Sequence, residues 1–299
     1  MFVEDIIRAS GFHGEVRPGE ELRKHTSFRT GGPADLFVIP ASRNDLMKLL
    51  KCFIKEDIPY YILGRGSNLL ISDRGVRGIV IEVGPGLTGF SFQGNCLVAE
   101  AGVILPLLAQ SAAERGLAGL EFAAGIPGAV GGAVVMNAGW RGGDISQVVS
   151  RVRTFHPRLG LKDRKPGDCG FGYRRSRFRQ SGEVILEAEF NLVPGFSQVI
   201  KDRINEIIAR RKKSLPLEHP SAGSIFKNPP GDYAGRLIEA VGLKGERAGD
   251  AQISEKHANI IVNRGAARFQ DVEQLINLAR EKVKKEFGII LDLELELWK

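Results

Sequence analysis

Cysteine is nearly absent. Cys52, Cys96 and Cys169 stand far apart, an odd number without CxxC spacing, which excludes a disulfide framework and a cysteine-only zinc site. Such usage fits a reducing compartment. No secretory leader is recognisable: residues 1–8, MFVEDIIR, carry acids where a leader needs bases, and no long apolar core follows. The chain is therefore expected in the cytoplasm. Long hydrophobic runs are also missing. The longest uncharged stretch, 122–140, approaches spanning length and holds a small-xxx-small pair, Gly128 and Gly132. Its five glycines, Pro127 and Asn137 make a poor membrane helix. No G-K-[ST] is present, so there is no P-loop. No G-x-S-x-G is present, so there is no hydrolase nucleophile elbow. His13, His25, His156, His219 and His257 have no metal-ligand spacing.

What is abundant is glycine, 37 of 299 residues or about 12%, against a typical ~7%. Many backbone positions must turn tightly or approach something closely. The length suits about two domains and is ample for real cores without a staple. Charged residues (26%) and hydrophobic residues (43%) are ordinary for a soluble globular chain. The net charge of +7 is concentrated: residues 151–180 hold ten Lys/Arg and two Asp, so the remainder is close to neutral. A basic segment of this kind suggests an anionic partner, whether nucleic acid, nucleotide cofactor or phosphorylated substrate. A solvated basic face is the plainer alternative.

Apolar spacing gives a coarse map. Residues 35–40 read as a strand and 45–56 as a helix with Leu46, Leu49, Leu50 and Phe53 on one face. Strands at 60–63 and 78–83 are separated by glycine-rich loop chemistry, so the first ~85 residues resemble a small βαβ unit. A helix over 105–115 and a strand over 183–193 follow. The spacing then predicts a helix from 199, a short helix over 232–241, a strand over 259–263 and a helix from Asp271 to Phe287 capped by Gly288. Residues 289–297 alternate, with Asp292, Glu294 and Glu296 on one side and four leucines on the other. No internal repeat is evident.

Four segments could carry chemistry. Residues 63–70, LGRGSNLL, follow a strand, and their glycines allow main-chain N–H groups to line an anion nest. Leu69 occupies the third-glycine slot of a dinucleotide fingerprint, which argues against a Rossmann site. A plain turn and a phosphate loop both remain open. In 123–139, five glycines in an apolar run suit neither a surface loop nor a regular core element. The reading favoured is a backbone wall that cradles a flat cofactor, ahead of packed helix contact. Phe171-Gly-Tyr-Arg-Arg-Ser-Arg-Phe178 could clamp a carboxylate or phosphate or stack single-stranded nucleic acid. In 220–229, Ser224 can donate a proton if held in a dry site, or be an ordinary turn serine.

Together these segments resemble the UDP-N-acetylenolpyruvoylglucosamine reductase family, flavoproteins that make UDP-N-acetylmuramate for peptidoglycan. The resemblance spans almost the whole chain. It rests on His25-Thr-Ser-Phe-Arg-Thr-Gly-Gly-Pro33, Leu63-Gly-Arg-Gly-Ser-Asn68, residues 116–139, Phe171-Gly-Tyr-Arg174, residues 220–229 and the Glu294 strand. It points to the family's shorter form. It implies an α+β fold: a two-part FAD-binding region of the vanillyl-alcohol-oxidase-like type over 1–85 and 86–196, then a UDP-sugar-binding domain over 197–299. FAD would be held non-covalently, with NADPH as co-substrate. Gly64, Arg65, Gly66, Ser67 and Asn68 would hold the FAD pyrophosphate. Gly125, Ile126, Pro127, Gly128, Gly131, Asn137, Ala138 and Gly139 would run beside the flavin. Arg174, Ser224 and Glu294 fall on the family's catalytic positions, and Tyr173, Lys227 and Asn228 on substrate-binding ones. No metal site, no nucleic-acid partner and no membrane attachment is expected, and the chain should act as a monomer. The basic segment would then surround a pocket for polyanionic ligands. Two alternatives stand beside this reading. An FAD-linked oxidase of the same fold often carries a histidine near the phosphate loop, and 60–80 contains none. A basic nucleic-acid-binding protein has only the charge to support it.

Overall fold

The computed structural model describes residues 3–299. The chain forms two units, each with its own hydrophobic core. The first comprises the residues up to Pro18, Leu36–Arg65 and Gly78–Ala209; the second comprises Gly19–Asp35, Gly66–Arg77 and Arg210–Lys299.

Two sheets organise the first unit. One has four strands in the order Glu15–Pro18, Ala34–Ile39, Val76–Glu82, Tyr60–Leu63. The outer strand Tyr60–Leu63 runs parallel to Val76–Glu82, as a βαβ reading requires. The intervening helix, Arg43–Lys55, buries Leu46, Leu49, Leu50 and Phe53 as the spacing predicts. It begins two residues before the expected Asp45, because Ser42 is its cap: Asp45 N–H donates to Ser42 Oγ at 3.1 Å. The other sheet is antiparallel, in the order Gly160–Arg164, Val149–His156, Val184–Asn191, Cys96–Glu100, Phe90–Gln93. Helix Leu105–Glu114 starts at a proline-bearing first turn and buries a face of two leucines and three alanines.

The second unit is built on an antiparallel sheet in the order Ser221–Ser224, Ile260–Asn263, Ala251–Ile253, Arg247–Ala248. Helix Phe269–Phe287 covers it with Val272, Leu275, Ile276, Ala279 and Val283 buried. It starts ahead of the expected Asp271, whose carboxylate instead accepts from Arg268 N–H at 2.9 Å and so closes the first turn. Gly288 ends the helix at φ 69°. The alternating tail pairs regularly only over Glu296–Trp298, which lies parallel to Leu69–Ile71. Among the described residues no helix is long and apolar enough to cross a membrane.

Candidate active site

The loop 64–68 connects Tyr60–Leu63 to Leu69–Ile71. No helix opens after it, in keeping with the missing third glycine. Gly66 has φ 58°, and a Cβ there would lie 2.0 Å from the His25 carbonyl oxygen. Only glycine fits both the left-handed backbone and that approach. Open space surrounds the Cβ position of Gly64. No hydrogen bond within the described residues uses the main-chain N–H of Gly64, Arg65, Gly66 or Ser67. A loop with unspent donors beside open space fits a cofactor diphosphate.

The glycine-rich run includes a regular core element that its composition argued against. Residues Val130–Met136 form a helix with Val130, Ala133 and Val134 buried, so packed helix contact accounts for part of it. Gly131 sits where a Cβ would be 3.1 Å from that of Ala101, and its N–H donates to Ala101 O at 2.8 Å. The amides of Ile126 and Gly128 are also spent internally, on Ala123 O and Ile126 O. The run is not buried throughout, since Pro127 and Gly132 are exposed and nothing fills the space beside Gly132. At least three of its amides are thus spent within the protein, and its open glycine surface lies at Gly132.

Asn137 ends that helix in the left-handed region, φ 42°, which asparagine tolerates. Its buried side chain accepts from Ser146 N–H at 2.9 Å and donates to Gly172 O at 3.1 Å. Gly172 and Arg175 exchange main-chain hydrogen bonds, which leaves Tyr173 and Arg174 at the tip of a tight turn. Arg174 also has positive φ, 53°, a strained setting for a long side chain. Its guanidinium donates to Gly139 O at 2.6 Å and lies 5.2 Å from the centre of the exposed Tyr173 ring. Asn137, Gly139, Tyr173 and Arg174 are thus one cluster in the first unit.

The basic segment needs correction. Arg151 pairs with Asp163, Glu187 and Glu189, Arg153 with Asp163 and Glu187, and Arg164 with Glu183. Three of these acids lie just beyond residue 180, on or beside the strand that runs antiparallel to Val149–His156. Asp163 is held down to about 2 by its hydrogen bonds to Arg153 and Arg151, and hydrogen bonding to Glu189 pushes Arg151 further above its usual range. Part of the local excess is therefore neutralised by acids outside the 151–180 window.

Ser224 and Glu294 come together in the second unit. A bulge between Ser221 and Ser224, where Gly223 has φ 74°, turns the chain out of register with Ile260–Asn263. Glu294 N–H then donates to Ile225 O at 2.9 Å, and Lys227 N–H donates to Asp292 O at 2.8 Å. Glu294 is accordingly the main-chain neighbour of the residue after Ser224. Asn259, buried, fixes this segment by accepting from Phe226 N–H at 2.9 Å and donating to Phe226 O at 2.7 Å. Asn228 Oδ1 accepts from Ala234 N–H at 3.1 Å, at the start of helix Ala234–Ala240. Asn68 donates from Nδ2 to Glu294 O at 3.0 Å. Sequence reasoning assigned no role to Asn259 or to Ser27. The only signal for Ser27 was its place in the 25–33 motif.

Residues 34–158 match an FAD binding domain, and residues 215–298 match the UDP-N-acetylenolpyruvoylglucosamine reductase C-terminal domain. A glycine-hinged loop with unspent amides inside an FAD-binding domain, followed by a separate C-terminal domain, defines an FAD-dependent oxidoreductase. The chain is 46% identical to UDP-N-acetylenolpyruvoylglucosamine reductase 2 of Symbiobacterium thermophilum, over 95% of this chain and 92% of that one. It is also 46% identical to the reductase of Moorella thermoacetica, over 97% and 95%. The crystal structure of the Thermus caldophilus reductase superposes with a TM-score of 0.82 at 38% identity, covering 96% of this chain and 100% of that one. The chain belongs to the UDP-N-acetylenolpyruvoylglucosamine reductase family.

Proposed function

We propose that this chain reduces UDP-N-acetylglucosamine enolpyruvate to UDP-N-acetylmuramate at the expense of NADPH, with Arg174, Ser224 and Glu294 as its catalytic residues. The observation that supports this reading is the Glu294–Ile225 main-chain bond, which joins the Glu294 segment to the strand that ends at Ser224. Bound FAD supplies the hydride relay between NADPH and C3 of the enolpyruvyl group. Hydride addition at C3 drives negative charge towards the substrate carboxylate. Arg174 stabilises that charge, and a guanidinium held by a fixed turn does so without reorganising. Ser224 gives its proton to C2. A hydroxyl is a weak acid, so it keeps that proton until a strongly basic carbon forms. Glu294 polarises and positions the enol. Residues 64–68 hold the cofactor diphosphate, and residues 125–139 give the ring system a smooth surface. Tyr173, Lys227 and Asn228 meet the substrate, Asn228 through whatever capacity its cap to Ala234 leaves. The chain works as a cytoplasmic monomer.

Anaerobic half-reactions test this directly. NADPH should bleach the flavin, and UDP-N-acetylglucosamine enolpyruvate should restore its colour promptly. Ser224→Ala should leave bleaching nearly intact and slow reoxidation by orders of magnitude. Equal loss of both steps refutes the proton-donor role. A flavin that is reduced but never reoxidised by this sugar refutes the substrate.

A further inference from the structure

The 25–33 motif does no chemistry in the account above, yet it sits behind both ends of it. Ser27 N–H donates to Gly66 O at 3.1 Å, and Ser27 Oγ donates to Ser221 O at 2.7 Å. One residue thereby touches the 64–68 loop and the strand that ends at Ser224. The next residue, Phe28, is fully buried, and its carbonyl accepts from Asn263 Nδ2 at 3.0 Å. Asn263 belongs to the strand that pairs with Ser221–Ser224, so this tie is anchored at both ends. Two residues beyond Gly66, Asn68 makes a second tie. Its Nδ2 donates to Glu294 O at 3.0 Å, and its own carbonyl accepts from Glu296 N–H at 3.0 Å. All of these residues lie in the second unit.

We propose that Ser27 and Asn68 are positioning residues that tie the 66–68 loop to the segments bearing two of the proposed catalytic residues, Ser27 to the Ser224 strand and Asn68 to the Glu294 segment, so that filling the loop orders both. The proposal rests on the reading that residues 64–68 hold the cofactor diphosphate. Displacing the loop strains both ties, because Gly66 O accepts from Ser27 N–H and Asn68 Nδ2 donates to the Glu294 carbonyl. Ligand contact at the loop is therefore transmitted through short, specific hydrogen bonds. By linkage, whatever orders these two segments strengthens cofactor binding by the same factor.

Amide hydrogen exchange on the full chain, with and without FAD, reads this without relying on turnover. Flavin absorbance reports loading separately. In the wild type FAD should slow exchange roughly tenfold or more in peptides covering 221–226 and 294–298. Asn68→Ala removes the donor without adding charge beside the diphosphate; compared at FAD concentrations that give equal flavin occupancy, it should abolish the effect at 294–298 and leave that at 221–226. Ser27→Ala should abolish it at 221–226 alone, and Ser27→Thr should restore it. If FAD loads and neither peptide of the wild type is protected, the proposal fails whatever the variants do. Protection of the same size in both variants also overturns it. A chain that takes up no FAD overturns the loop assignment too, and the absorbance distinguishes that case.

Discussion

Asn137 combines three structural duties in one side chain, and its replacement has a calculable effect. It holds φ 42° at the end of helix Val130–Met136, accepts from Ser146 N–H and donates to Gly172 O, all at 2% exposure. Asn137→Ala leaves a main-chain donor and acceptor without their partner, at about 1–3 kcal/mol each. It also places a side chain without local hydrogen bonding in the left-handed region, at about 1–2 kcal/mol. The sum is roughly 3–8 kcal/mol, large against a typical domain stability of about 5–15 kcal/mol. Asn137→Gly removes the same hydrogen bonds but none of the backbone freedom. It should be more stable than the alanine variant by about 1 kcal/mol. Urea unfolding followed by fluorescence and by flavin release measures both differences. Because Gly172 begins the turn that presents Arg174, both variants should also slow substrate-driven flavin reoxidation more than NADPH-driven reduction. An alanine variant within about 1 kcal/mol of the wild type, with both half-reactions unchanged, would refute the assignment of Asn137 as the keystone of this cluster.

Three further outcomes follow from the geometry. Gly66→Ala should lose most bound flavin on gel filtration and destabilise the chain by at least about 1–2 kcal/mol, because its Cβ would lie 2.0 Å from a main-chain oxygen; a flavin content equal to wild type contradicts this. Arg174→Lys should slow substrate-driven reoxidation roughly 10²-fold, since a point charge does not reproduce a planar fork; near-normal turnover sinks the idea. Asp163 is held down to about 2 in the folded chain by Arg153 and Arg151, against about 3.9 when unfolded. Its contribution to stability is therefore full above pH ~4 and fades as pH falls towards 2. The difference in unfolding midpoint between wild type and Asp163→Asn should shrink over that interval, and a constant difference rules out the pairing as its cause.

The parts of the fold legible in the sequence are those whose information is local. The faces of Arg43–Lys55 and Phe269–Phe287 follow from apolar spacing, and Gly288 stops the second helix because glycine takes φ 69° without steric cost. The glycine run misleads for the opposite reason. Its local helix propensity is poor, at about 1 kcal/mol per glycine, yet Val130, Ala133 and Val134 are buried deeply enough to override it. Charge counting fails likewise. A window ending at residue 180 cannot see that Arg151 faces Glu189, and Arg153 faces Glu187, across neighbouring strands.

The candidate site divides along the same line. Each chemical group, Arg174, Ser224, Glu294 and the 64–68 loop, stands in a motif that a sequence displays directly. What brings Ser224, Glu294 and residues 66–68 of the second unit together is non-local. Leu69–Ile71 pairs with Glu296–Trp298, at the far end of the chain. The alternating tail could be read as a regular strand, yet between 292 and 296 its main chain bonds successively to Lys227, Ile225 and Asn68. Those three partners come from segments that bear the proposed substrate, proton-donor and cofactor contacts. A regular strand would have spent the same groups on one neighbour. The irregular tail spends them on three, and this is the physical reason that the main chain at Glu294 is held by both the loop and the serine strand.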